Sequence, residues 1–143
     1  MAISLASTEL GSPISLPDGL IWSDELEWES IEQETSIVNG DLVVVRRPAI
    51  STGRPITLLG GRSGRTSWAW MTRTNVLALR SALDTTAATL TLTLHDARSF
   101  TVVPNTEVGA LIARPLPRVG ERAPADPSGT WWYVVEQIAF LTR

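Results

Sequence analysis

His95 is the only histidine in the chain, so any histidine-based triad or histidine metal site has to be built on it. Asp96 follows directly. Adjacent strand residues point to opposite faces, which leaves Asp96 badly placed to orient that imidazole. An exposed histidine at a hairpin end is the expectation. The acidic run from Asp24 to Glu34 has the residue types for a cation but not the Asp-x-Asp-x-Asp-Gly spacing of a calcium loop. It reads as a solvated sheet face. Gly60-Gly61-Arg62-Ser63-Gly64-Arg65 has the glycines of a phosphate cradle. It lacks the Walker lysine and the dinucleotide pattern, and it runs into a strand where an anion site would need a helix N-terminus. A plain loop is expected. Arginines with Trp68 and Trp70 suit stacking on single-stranded nucleic acid, yet the sequence pI is ≈ 5.1, where a dedicated nucleic-acid binder is basic. Catalytic, cofactor and metal residues are accordingly assigned to none of these positions.

The elements that would carry these residues are mostly strands. Residues 30–38 alternate, with Ile31, Gln33, Thr35 and Ile37 on one side and Glu32, Glu34 and Ser36 on the other. Asn39-Gly40 then signals a tight hairpin, because both residues tolerate positive φ, and 42–47 is the return strand. Residues 55–59 read as a strand. The spacing of Val76, Leu79 and Leu83 predicts a helix over 72–83, with Thr72 or Thr74 at its cap and Arg73 and Arg80 on another side. Leu90, Leu92 and Leu94 mark the buried face of a strand over 89–95. The turn at 96–98 leads into a partner at 100–103, and 108–113 is a further strand. Residues 131–141 are apolar on both faces, as in a central strand or one covered by a partner. Residues 1–22 read as an extended arm or short edge strands, and 114–129, rich in Pro and Gly, as a loop or ordered arm. The expected fold is mainly β: a single domain over 1–143, a sandwich or barrel of about seven or eight strands with one flanking α-helix.

The 143 residues, 43% hydrophobic and 19% charged, can build a real core. With no cysteine, disulfides and thiolate metal sites are excluded. The first twelve residues lack the basic start and apolar run of a secretory leader, and no stretch approaches the ~20 apolar residues that span a bilayer. Membrane insertion is not expected. The net charge of −3 hides an uneven distribution. Residues 1–41 hold nine acids (Glu9, Asp18, Asp24, Glu25, Glu27, Glu29, Glu32, Glu34, Asp41) and no base. Residues 42–83 hold seven arginines (Arg46, Arg47, Arg54, Arg62, Arg65, Arg73, Arg80) and no acid. Six tryptophans are more than one small core readily hides: several must pack in the core and rim, and the equal alternative is that some anchor protein contacts.

Three runs carry a family likeness: Gly53-Arg54-Pro55-Ile56-Thr57-Leu58; Trp70-Met71-Thr72-Arg73 leading into 76–79; and Leu90-Thr91-Leu92-Thr93-Leu94-His95-Asp96. Over roughly residues 16–142 the chain resembles small tail proteins of bacteriophages and prophages, of the baseplate or distal-tail type. The resemblance implies the tail-tube fold, a sandwich or barrel flanked by one helix. It implies homo-oligomeric rings, often hexameric, around a channel that DNA transits. Tail tube and baseplate hub proteins would be the neighbours, and the virion the destination after synthesis in the bacterial cytoplasm. The family has no catalytic residues to carry over, and the large extra domains of some distal tail proteins are missing from these residues.

The expected function is therefore structural, without cofactors and without catalysis. Candidate subunit-interface residues are Arg46, Arg47, Arg54, Arg62 and Arg65 facing Glu25, Glu27, Glu32 and Glu34, with Trp131. Head-to-tail contact between an acidic and an Arg-rich surface would set the ring's register. Acidic strands lining the lumen compete for the same residues. A soluble accessory module with a Trp/Arg-rich protein-binding surface is the alternative function.

Overall fold

Asn39 and Gly40 take φ values of 51° and 84°, the pair of left-handed conformations that a two-residue hairpin turn requires. They join β4 (Ile31–Val38) to β5 (Asp41–Pro48) in an unbroken antiparallel register from Ile31 opposite Pro48 to Val38 opposite Asp41. The hairpin is as the sequence predicts. Its setting is described below. A computed structural model of the chain describes residues 3–8, 11–48, 53–63, 66–67, 69–85, 89–116 and 124–143.

The body is mainly β with one flanking helix, as expected. The strands ahead of the hairpin are β1 (Ser4–Ser7), β2 (Ile14–Ser15) and β3 (Leu20–Trp22). After it come β6 (Pro55–Gly60), β7 (Arg62–Ser63), β8 (Thr66–Ser67) and β9 (Trp70–Thr72), then α1 (Arg73–Asp84). The chain finishes with β10 (Leu90–Thr93), β11 (Ser99–Pro104), β12 (Leu111–Pro115) and β13 (Trp132–Thr142). Nine of these strands make one sheet in the order β2-β1-β10-β11-β13-β6-β3, with β9 and β12 also paired to β13. The excess over seven or eight comes from two- and three-residue strands. Among the described residues the sheet does not close into a barrel.

The long strand β13 is central, which explains its two apolar faces. Its first half pairs with β9 and β12, and its second half with β6 and β11. Opposite β12 the register passes from Gln137 to Val135, leaving Glu136 as a bulge residue that changes the strand's course. Val134, Val135, Ile138, Ala139 and Phe140 are buried as a result. The core adds Ile56, Leu58, Leu90, Leu92 and Val102 from neighbouring strands, and Val76, Leu79 and Leu83 from α1.

Residues 3–22 follow the short-strand alternative: β2 and β3 lie at the two ends of the sheet path. They are also packed, since Ile3, Leu5, Leu16 and Leu20 are buried and β1 pairs residue for residue with β10. Within 114–129, the described residues 124–129 dock on the chain's own helix. Arg73 donates to Asp126 at 2.7 Å and to the Pro127 carbonyl, and Pro127 is buried. The backbone N–H groups of Arg73 and Thr74 donate to the carbonyls of Trp131 and Gly129. That satisfies the helix N-terminus in place of a side-chain cap, and the Thr72 hydroxyl makes none.

Candidate functional site

The β4–β5 hairpin is the part of the molecule whose chemistry is unfinished. It is inserted between β3 and β6, which are themselves paired antiparallel neighbours in the sheet. Every residue of both strands is exposed. On one face lie Ile31, Thr35, Ile37, Leu42, Val44 and Pro48; on the other lie Glu32, Glu34, Val38, Val43, Val45 and Arg47. Ile37 is 76% exposed, Leu42 67% and Val45 53%. Each strand's outer edge is unpaired in the described sheets. An isolated two-stranded ribbon is marginal in water, and one with apolar side chains on both faces and two open edges is a surface built for association.

The predicted interface residues divide into three groups. Glu32, Glu34, Arg46 and Arg47 share this hairpin. Glu32 and Arg47 are opposite each other and form an ion pair at 2.9 Å. Glu34 faces Val45, and Arg46 faces Gln33. Glu25, Glu27 and Arg54 lie instead at its root. Glu27 is exposed in the turn after β3, where its N–H bonds the Asp24 carbonyl. Glu25 is engaged within the chain, accepting from the Arg98 guanidinium at 2.5 Å. Arg54 is half-buried. Its guanidinium lies 4.6 Å from the Trp22 ring centre and 5.2 Å from that of Trp28, and donates to the Glu25 carbonyl at 2.8 Å. The Arg54 side chain is thus engaged within its own chain. Arg62 falls on β7, and Arg65 lies outside the described residues.

Trp131 is 6% exposed, and its indole Nε1 donates to the Leu116 carbonyl at 2.8 Å, which ties the chain before β13 to the end of β12. Its neighbour Trp132 is the exposed one, with Trp70 two ladder positions away on the paired strand.

No family model, curated protein or solved structure matches this chain.

A concavity of about 290 Å³ is lined by Ile3, Leu20, Trp22, Leu58 and Leu94 with His95, Glu25, Asp96 and Arg98 at its polar side. His95 is exposed, as expected. Both carboxylates that line the cleft with it are taken by Arg98, which bonds Glu25 and Asp96 at 2.5 Å each. The Asp96 carboxyl sits below its ordinary range: partial desolvation pushes it up, and hydrogen bonds from the Arg98 backbone and guanidinium outweigh that. Arg98 is held more firmly protonated by Glu25 and then by Asp96. Among the described residues, no three His, Asp or Glu side chains converge as metal ligands would, and no helix is long and apolar enough to cross a membrane.

Sequence reasoning missed two things. Asp24, counted with the solvated acids, is buried and accepts from Trp22 Nε1, Thr57 N and Thr57 Oγ1 at 2.7–2.9 Å. The uncovered ribbon was signalled by Val43-Val44-Val45, an apolar run on both faces of β5. The same pattern at 131–141 marks the central strand.

Proposed function

We propose that the protein is a structural subunit of a phage tail or baseplate ring, surrounding the tail channel and joining the tail tube to baseplate or hub proteins. The observation that carries this is the hairpin, sixteen strand residues (eight in each strand) exposed on both faces and open on both edges. The occupant it fits is a second copy of itself. Between its ends β4 carries acids and no base, and β5 carries Arg46 and Arg47 near the root. When hairpins stand side by side pointing the same way, β4 of one copy runs antiparallel to β5 of the next. With the hairpin's own register repeated between copies, Glu32 then lies opposite the next copy's Arg47 with Glu34 on the same face, while Arg46 projects from the other face. That contact is heterologous, so it propagates around a ring, and backbone pairing supplies affinity while the charges set register. The hexameric number comes from the family resemblance.

The test is the mass of the purified protein in solution across salt, with negative-stain images of the same samples. Closed rings that dissociate as salt rises are expected. A monomer at every salt concentration, with hairpin amides exchanging freely, overturns self-assembly through this element. A second reading, a soluble module that binds another protein, draws on Trp70 and Trp132, 46% and 50% exposed on neighbouring strands. It predicts a monomer whose partner binding is lost in Trp132→Ala.

A further inference from the structure

The hairpin leaves the body through two legs, and one side chain ties them together. Trp28 is the last half-buried residue before β4, and Arg54 is the first after β5 among the described residues. The Arg54 backbone is rooted on the end of β13: its N–H donates to Thr142 Oγ1 and its carbonyl accepts from Thr142 N, both at 2.9 Å. From that root the guanidinium reaches over Trp22 and Trp28 and bonds the Glu25 carbonyl. The leading leg is fixed beneath by Asp24, whose carboxylate is held by Thr57 of β6. Among the described residues, β4 and β5 pair only with each other. A cleft of about 520 Å³, lined by Trp28, Glu29, Ser30, Ile31, Gln33 and Arg46, lies at the hairpin root.

We infer that the Arg54–Trp28 stack is the clasp that fixes the direction in which the hairpin projects from the body. Stacking on two rings while donating to a carbonyl needs a planar, weakly hydrated cation, which arginine supplies and lysine does not. A ribbon held in one direction loses less freedom on pairing with a neighbour, so the clasp pre-organises the hairpin for association. That last use rests on the ring reading; the clasp itself does not.

The chain has no cysteine, so spin labels can be placed cleanly at Ser36→Cys in β4 and Thr101→Cys in β11, both exposed sites. The distance distribution between them, measured by pulsed electron resonance on protein diluted below assembly, reports the hairpin's direction. Trp28→Ala and Arg54→Lys are each expected to broaden it at least about twofold, and Trp28→Phe, which keeps a ring under the cation, to hold it narrow. Thermal unfolding of the same variants checks that the body is intact; Trp28, away from the core, is the variant to rely on if Arg54→Lys folds poorly. A distribution as narrow in Trp28→Ala as in the parent overturns the clasp. Assembly of the same variants is a separate arm: a parent protein that never forms rings defeats the ring reading, while the distance measurement still decides the clasp.

Discussion

Asp24 shows how one carboxylate changes meaning with its surroundings. In the sequence it is one of nine acids in the first 41 residues, yet it accepts three hydrogen bonds from Trp22 and Thr57. Asp24→Ala leaves the Thr57 N–H and the Trp22 indole without that acceptor, so a loss of about 1–3 kcal/mol in denaturant unfolding is expected. Asp96 behaves differently. Its folded-state carboxyl lies below the ordinary value of 3.8, so its contribution is present above that pH and disappears as pH falls through the folded value. Because the group is exposed the effect is small: Asp96→Asn is expected to flatten slightly the acid-side decline of Tm and to leave neutral stability nearly unchanged. A steeper acid decline in the variant would contradict this. Ala97, in the same turn, has φ 66°, a conformation that disfavours a Cβ. Ala97→Gly is expected to raise stability by up to about 1 kcal/mol, the relief of strain being partly offset by the freer unfolded chain.

The secondary elements were legible where one face is buried and one is wet. The alternation at 89–95 became β10, the 3.6-residue spacing of Val76, Leu79 and Leu83 became α1, and Asn39-Gly40 became the turn of the hairpin. Short, Pro-broken segments left an extended arm and short edge strands equally open, because neither has a buried periodic face long enough to read. β1 has only four residues, but Leu5 is fully buried opposite Leu92 and the strand covers the edge of β10. Leu5→Ala is expected to cost about 2–5 kcal/mol, the range for emptying a core site. A free arm would predict no change. Periodicity is equally silent on what covers an apolar strand. β13 and β5 share the two-faced pattern; β13 is flanked by four strands and β5 by β4 alone. That difference is decided by contacts between distant segments, which spacing along one chain does not encode. The role of Arg54 was hidden for the same reason, since Trp22, Trp28 and Thr142 come to it from both directions in the sequence.

For the molecule as a whole, the body and the hairpin have opposite economies. The body buries its core and fastens its own termini, with Arg143 N–H bonding Thr101 and residues 3–7 in the sheet. The hairpin leaves its large apolar side chains between 39% (Val43) and 76% (Ile37) exposed. Substitutions on it should therefore separate stability from assembly. Ile37→Lys and Val44→Lys change exposed positions and are expected to move the monomer's stability by no more than about 0.5 kcal/mol, while ring formation is lost. The charge pattern gives a sharper test. The Glu32–Arg47 pair has side chains 50% and 69% exposed, so within one subunit it contributes little. In the proposed ring the same charges would recur at every contact, so a small effect per junction would add up around it. Reversing β4 alone (Glu32→Arg with Glu34→Arg) sets arginine against arginine at each junction, and assembly at low salt should fail. Adding Arg46→Glu and Arg47→Glu in the same chain restores opposition at every junction, so rings should return. If the fourfold variant stays dispersed while its body unfolds normally, the hairpins do not meet β4 to β5, and the subunits of any ring must join through another surface.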